Sequence, residues 1–144
     1  MTGNVQPSPG GQDIVVLYCQ GCVAGKPEET MALRRDGVRT KLTPIPCTSK
    51  VEVPHLLKIL ERGVDGIQVV GCGESACRFL VGYRITAKRI RRARELLAAI
   101  GIGADRLGME SGAGLTTEDL LELSEKRAAA ALPHGPNPMK EHQT

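Results

Sequence analysis

Five cysteines carry most of the chemistry this 144-residue chain can offer: Cys19, Cys22, Cys47, Cys72 and Cys77. Cys19 and Cys22 are separated by two residues, a gap that lets neighbouring thiolates point at one centre. The stretch "IQVVGCGESAC", Ile67–Cys77, runs from apolar residues through Gly71 and Gly73 into two thiols, as a buried strand ending in a cysteine-bearing loop would. An odd count of cysteines in a chain without a secretory signal argues against a disulfide framework. Metal ligation, redox chemistry and scattered core thiols remain. All-thiolate ligation selects zinc or an iron–sulfur cluster. Histidine adds little, because His55 falls in a predicted helix and His134 and His142 near the end of the chain. A structural zinc serves best where a small domain lacks a core, and this chain is long enough to bury one. Thiol–disulfide exchange would use a Cys-x-x-Cys opening a helix after a strand. Cys19–Cys22 nearly satisfies that, but Cys47, Cys72 and Cys77 are then left without a role.

The elements that must position these thiols follow from pattern. Asp13–Cys19, "DIVVLYC", is a short apolar, β-branched run and predicts a strand buried on both faces. Lys26–Gly37 predicts a short helix, with Pro27 at its first turn, Glu28 and Glu29 at the positive end and Gly37 as its stop. Val38–Cys47 predicts a second strand. Pro44 and Pro46 lack a ladder donor, so it should lie at an edge or end early. Ser49–Gly63 predicts a helix with a Ser49/Glu52 capping box and an apolar stripe of Val53, Leu56, Leu57 and Leu60. Asp65–Cys72 predicts a third strand. A helix over Ile85–Ile100 should bury Ile90, Ala93, Leu97 and Ile100, and Gly101 should end it. A fourth strand over Asp105–Ser111 and a helix over Thr116–Leu132 complete the pattern. The order βαβαβαβα predicts an α/β domain, a three-layer parallel sheet of about four strands with flanking helices over residues 13–132. Residues 1–12 and 133–144, polar and rich in Gly and Pro, are expected to be a disordered leader and tail.

In such a sheet all strand carboxyl ends lie along one edge, where ligands of open α/β folds bind. Cys19, Cys47 and Cys72 each end a predicted strand, and Cys22 and Cys77 follow in the adjoining loops. Five thiols from three loops are therefore expected to converge on one crevice.

Composition narrows the function classes. Apolar residues make up 41% and charged residues 24%, an ordinary globular balance, and no stretch is apolar enough to span a membrane. Without a basic region and apolar core at its start, the chain is expected in the cytoplasm. Net charge is only +3, yet Arg78, Arg84, Lys88, Arg89, Arg91, Arg92 and Arg94 form a block with no acid among them. Such a block suits a docking face for an anionic partner or a solvated helix surface. One Phe, two Tyr and no Trp leave few stacking platforms, so nucleic acid is not expected as a partner.

The segments "YCQGC", "IPCTSKVE", "GVDGIQVVGC", the Cys72–Cys77 pair, "GYRITAKRIRRARELL" and "LGMES" together resemble the delta subunit of methyl-viologen-reducing hydrogenase, over roughly residues 14–111. The resemblance implies an α/β domain carrying one [2Fe–2S] cluster. It also implies electron relay between a partner oxidoreductase and a flavin-containing protein like the A subunit of heterodisulfide reductase, within a larger complex that can be electron-bifurcating. On that basis Cys19 and Cys22 are expected on one iron and two of Cys47, Cys72 and Cys77 on the other. Gly21, Gly71 and Gly73 would let backbone N–H groups approach the cluster, or would simply make turns. Two positions depart from the family pattern: Tyr18 stands where many members have a further cysteine, and Ala76 where many have an acid. The rival readings are a thiol–disulfide redox protein and a zinc-stabilised adaptor that binds through its basic helix.

Overall fold

The computed structural model describes residues 11–25, 27–72 and 82–142. Among them a five-stranded sheet runs in the order β2-β3-β1-β4-β5. Its strands are β1 (Gln12–Cys19), β2 (Met31–Arg35), β3 (Val38–Ile45), β4 (Gly66–Gly71) and β5 (Leu107–Ser111). β1 pairs in parallel with β3 and β4, and β4 with β5, while β2 is antiparallel to β3. Three α-helices flank the sheet: α1 (Val53–Glu61), α2 (Gly82–Ala99) and α3 (Thr117–Ala131). The α/β class and the helix-flanked, mostly parallel sheet are as expected.

The helix expected over Lys26–Gly37 is a correction. Its "MALRR" segment is strand β2, joined to β3 through Asp36 and Gly37, which sit at φ 52° and 80°. Positive φ at both turn residues makes the tight two-residue hairpin that Asp-Gly favours. Pairing with β3 outweighs the helix propensity of Met, Ala, Leu and Arg. As a result β3 is not an edge strand. Pro44 nevertheless obeys the proline rule: it lies beyond Leu42, the last β3 residue paired with β2.

The sheet buries two cores. On one face Ile14, Val16, Tyr18, Leu42 and Val70 pack with Leu120 and Ala128 of α3. On the other, Val15, Leu17, Ile67, Val69 and Leu107 meet Leu56 and Leu60 of α1 and Ile90, Ala93 and Leu97 of α2. Each fully buried side chain of this size stabilises the fold by about 1.5–3 kcal/mol. Ile100, expected in the α2 stripe, is 64% exposed because the helix ends at Ala99 and Gly101 turns the chain away at φ 82°.

Two further boundaries differ. The Ser49–Glu52 box does not form: residues Thr48–Lys50 make a 3₁₀ turn and α1 starts at Val53, with Pro54 in its first turn. Thr116 does cap α3, paired reciprocally with Asp119. After α3 the chain stays against the domain through two 3₁₀ turns, Leu132–His134 and Pro138–His142. Asn137, 1% exposed, donates from its side chain to the Leu60 and Val64 carbonyls. Of the expected leader, residues 1–10 lie outside the described residues, and Gln12 already belongs to β1.

Candidate functional site

β1 sits between β3 and β4, so successive connections leave it on opposite sides, and the switch point falls between the carboxyl ends of β1 and β4. Cys19 is the last residue of β1 and Cys72 follows the last residue of β4. Their sulfurs lie 3.5 Å apart. Two thiolates on one tetrahedral metal at about 2.3 Å would stand about 3.8 Å apart, so this separation is close to what a shared metal needs.

Gly21 lies over the pair. A Cβ placed there would come within 3.7 Å of both sulfurs, so the missing side chain leaves open space against them. Gly71 answers to packing instead: a Cβ there would press on Thr48 Cγ2 at 3.2 Å and Tyr83 Cδ1 at 3.4 Å.

Cys22 closes the 3₁₀ turn Gln20–Cys22 and is 1% exposed. Its thiol donates to the Cys19 carbonyl at 3.1 Å. Burial, reinforced by the neighbouring Cys19, pushes its pKa up to about 11, so at neutral pH it holds its proton. The following residues are stitched to the loop before α3, with Ala24 N–H donating to the Leu115 carbonyl and Leu115 N–H to that of Cys22.

Cys47, 5% exposed, lies two residues past β3. It accepts a hydrogen bond from the Ser49 hydroxyl at 3.3 Å, and the Cys19 thiol reaches the carbonyl of adjacent Pro46 at 3.7 Å. The segment is held from α2: buried Thr86 donates to the Thr48 carbonyl, and Arg89 donates to those of Ser49 and Val51 at 2.7 and 2.9 Å. Sequence reasoning read Ser49 as a helix cap and Arg89 as a free charge. The spacing of Thr86 and Arg89, three apart on one helix face, was the available signal for a clasp.

Cys77 and Gly73 lie outside the described residues, as does Arg78. Within the described set the structure thus brings Cys19 and Cys72 together, with Cys22 and Cys47 on the flanking loops of the same sheet edge. No three His, Cys, Asp or Glu side chains of the described residues gather into a metal-binding group. An all-sulfur donor set, one sulfur pair at near-ligand spacing and open space under Gly21 fit an iron–sulfur group. Of the basic block, Arg94 turns back to the Leu107 carbonyl and to Asp105, and Arg92 pairs with Glu95 at 3.6 Å. Lys88 and Arg91 remain exposed on α2.

The fold and site define an α/β domain that gathers cysteines at the carboxyl edge of its sheet, with two of them at the switch point. Residues 14–130 match the family described as methyl-viologen-reducing hydrogenase, delta subunit, and the chain belongs to that family. It is similar to the iron-sulfur D subunit of the F420-non-reducing hydrogenase vhu of Methanocaldococcus jannaschii, at 29% identity over 69% of this chain and 75% of that one. The Methanococcus voltae protein of the same name is 32% identical over 67% of this chain and 72% of its own. A further similarity, 27% over 65% of this chain, is to the A subunit of the ferredoxin/F(420)H(2)-dependent CoB-CoM heterodisulfide reductase of Methanosarcina acetivorans, where it covers 12% of the protein. No helix of the described residues is long and apolar enough to cross a membrane.

Proposed function

We propose that this chain is an electron-transfer subunit holding a [2Fe–2S] cluster at the β1/β4 switch point. The observation that carries the reading is the Cys19–Cys72 sulfur pair, 3.5 Å apart beneath the open space left by Gly21. The named relatives, called iron-sulfur subunits, support it. Cys19 and Cys72 would be ligands, with the remaining two drawn from Cys22, Cys47 and Cys77. The cluster would supply one-electron exchange. The protein's part is to hold the thiolates, to shield them between two cores and to present that edge to a partner. Cys22 must give up its proton to ligate. Cys47 already receives the Ser49 hydroxyl, a donor suited to a thiolate.

The partners proposed are a flavin-containing protein like the A subunit of heterodisulfide reductase, together with a second oxidoreductase component. The similarity to part of one such reductase chain supports the first. The chain is proposed to act in the cytoplasm, as one component of a complex and without substrate chemistry of its own.

Anaerobic production followed by iron and acid-labile sulfide analysis tests the reading. About two of each per chain are expected, with visible absorption lost on replacing Cys19 or Cys72 by Ser. One zinc without sulfide would instead support the adaptor reading. A colourless chain with a reversible Cys19–Cys72 disulfide would support the thiol–disulfide one.

A further inference from the structure

The sheet end opposite the cysteines carries a second feature. A groove of about 710 Å³ lies on the face that α1 and α2 share, over the amino-terminal half of β1 and the β2–β3 hairpin. β2 widens the sheet beyond the reach of these helices, and no β2 side chain joins the core they cover. The floor includes Val15, Ala32 and Val64, and Arg34, Lys41 and Arg62 stand at the rim.

The charge of this groove is unbalanced. Arg39 and Lys140 are neutralised within the fold: Arg39 grips Asp13 at 2.6 and 3.0 Å, and Lys140 reaches Asp13 at 2.6 Å and buried Asp65 at 2.9 Å. Asp13 is the one acid among the described lining residues. Arg34, Lys41 and Arg62 are exposed, and no ion pair offsets them among the described residues. Three exposed, uncompensated cations around an apolar floor present a surface complementary in charge to an anionic one.

We infer that this face docks an acidic amphipathic helix of a partner protein, its apolar side on Val15, Ala32 and Val64 and its carboxylates on Arg34, Lys41 and Arg62. A sheet face of this kind is ordinarily covered by a helical layer, and an amphipathic helix in a groove is a recurring recognition mode. The chain's own first ten residues carry no acidic side chain, so they do not match the charge. The groove lies at the opposite end of the strands from Cys19 and Cys72, so the inference does not depend on the metal reading.

The test uses the full chain and a labelled 16-residue helical peptide with a leucine face flanked by glutamates. Fluorescence anisotropy and amide chemical-shift mapping are the readouts. Binding that weakens with salt, with shifts confined to residues 13–15, 32–41 and 62–64, is expected. The Arg34→Glu/Lys41→Glu/Arg62→Glu variant should bind at least tenfold more weakly. The corresponding triple Gln variant gives an intermediate loss and serves if the first misfolds. Equal binding of the same peptide with lysine flanks, no binding, or shifts on α2 would overturn the inference. So would binding that appears only after deletion of residues 1–10, or inorganic tripolyphosphate shifting the same amides at equal concentration.

Discussion

The Ser49 hydroxyl donates to the Cys47 sulfur across 3.3 Å, two residues along the chain. The 3₁₀ turn Thr48–Lys50 sets this contact, and Arg89 and Thr86 of α2 hold the turn in place. A donor to a ligand sulfur stabilises the more negative, reduced state of a cluster and raises its potential. Ser49→Ala is therefore expected to lower the midpoint potential if Cys47 is a ligand, with iron content near normal. A redox titration that leaves the potential unchanged would mark Cys47 as the spare thiol.

Gly21→Val should separate the site from the fold. The added side chain would stand against the Cys19 and Cys72 sulfurs, and among the described residues beyond its chain neighbours a Cβ at Gly21 meets nothing else within 4 Å. Iron content per chain is expected to fall severalfold while the urea midpoint of the metal-free protein moves little. An equal loss of stability would mean that Gly21 serves the turn and not the cysteines.

Any docking of an acidic partner through α2 would rest on its exposed charges, Lys88, Arg91 and Arg92. Arg89 and Arg94 are spent on carbonyls of the domain itself. Reversing Lys88, Arg91 and Arg92 to Glu should weaken association with an acidic partner and reduce its salt dependence, leaving the visible spectrum intact. Reversing Arg89 should in addition disturb the spectrum, because the segment beside Cys47 loses its clasp. Identical spectra for both variants would remove Arg89 from the support of the site.

Asp13 gives the fold a defined acid limb. The Arg39 guanidinium, with Lys140 beside it, holds the Asp13 carboxyl down to about 2, from 3.8 in an unfolded chain. A depressed folded-state pKa contributes stability that is complete above pH 4 and is lost as pH falls toward 2. Asp13→Asn should lower the urea midpoint at pH 7 and flatten the stability curve between pH 4 and pH 2. A parallel curve for the variant would contradict this assignment.

The placement of Cys19 and Cys72 was legible because a parallel sheet puts every strand's carboxyl end on one edge, and short apolar runs ending in these two residues are hard to misread. Which sulfurs meet was not legible. Cys19 and Cys22 are close in sequence, yet the sulfur 3.5 Å from that of Cys19 belongs to Cys72, 53 residues away. That choice rests on loop geometry and rotamers, which spacing does not encode. The hairpin was present in the sequence as Asp36-Gly37 between β2 and β3, but Pro27, Glu28 and Glu29 imitate a helix start. Ser49 likewise had the right type for a cap, but α1 begins four residues later with Pro54 in its first turn.

The segment after α3 gives the last prediction. Its Gly and Pro content suggested a disordered tail, but it supplies partners to two buried charged groups. Arg106, 0% exposed, donates to the Ile102 and Asp65 carbonyls and, from Nη2, to those of His134 and Gly135 at 3.1 and 2.7 Å. Asp65, 1% exposed, accepts from the Asn137 N–H at 3.0 Å and from Lys140 at 2.9 Å. Truncation after Leu132 would leave the Arg106 fork half-satisfied and Asp65 short of two donors. Each hydrogen bond to a charged group is worth about 1.5–3 kcal/mol, partly recovered as water enters the opened site. The truncated chain is expected to lose about 3–5 kcal/mol, a substantial share of the roughly 5–15 kcal/mol that holds a domain together. Asn137→Ala alone, which takes the side-chain donor from the Val64 carbonyl and from the Leu60 carbonyl, the latter still accepting the Gly63 N–H, should cost about 1–3 kcal/mol. Urea unfolding of the two variants beside the parent chain measures both, and a truncated chain as stable as the parent would return residues 133–144 to the status of an appendage.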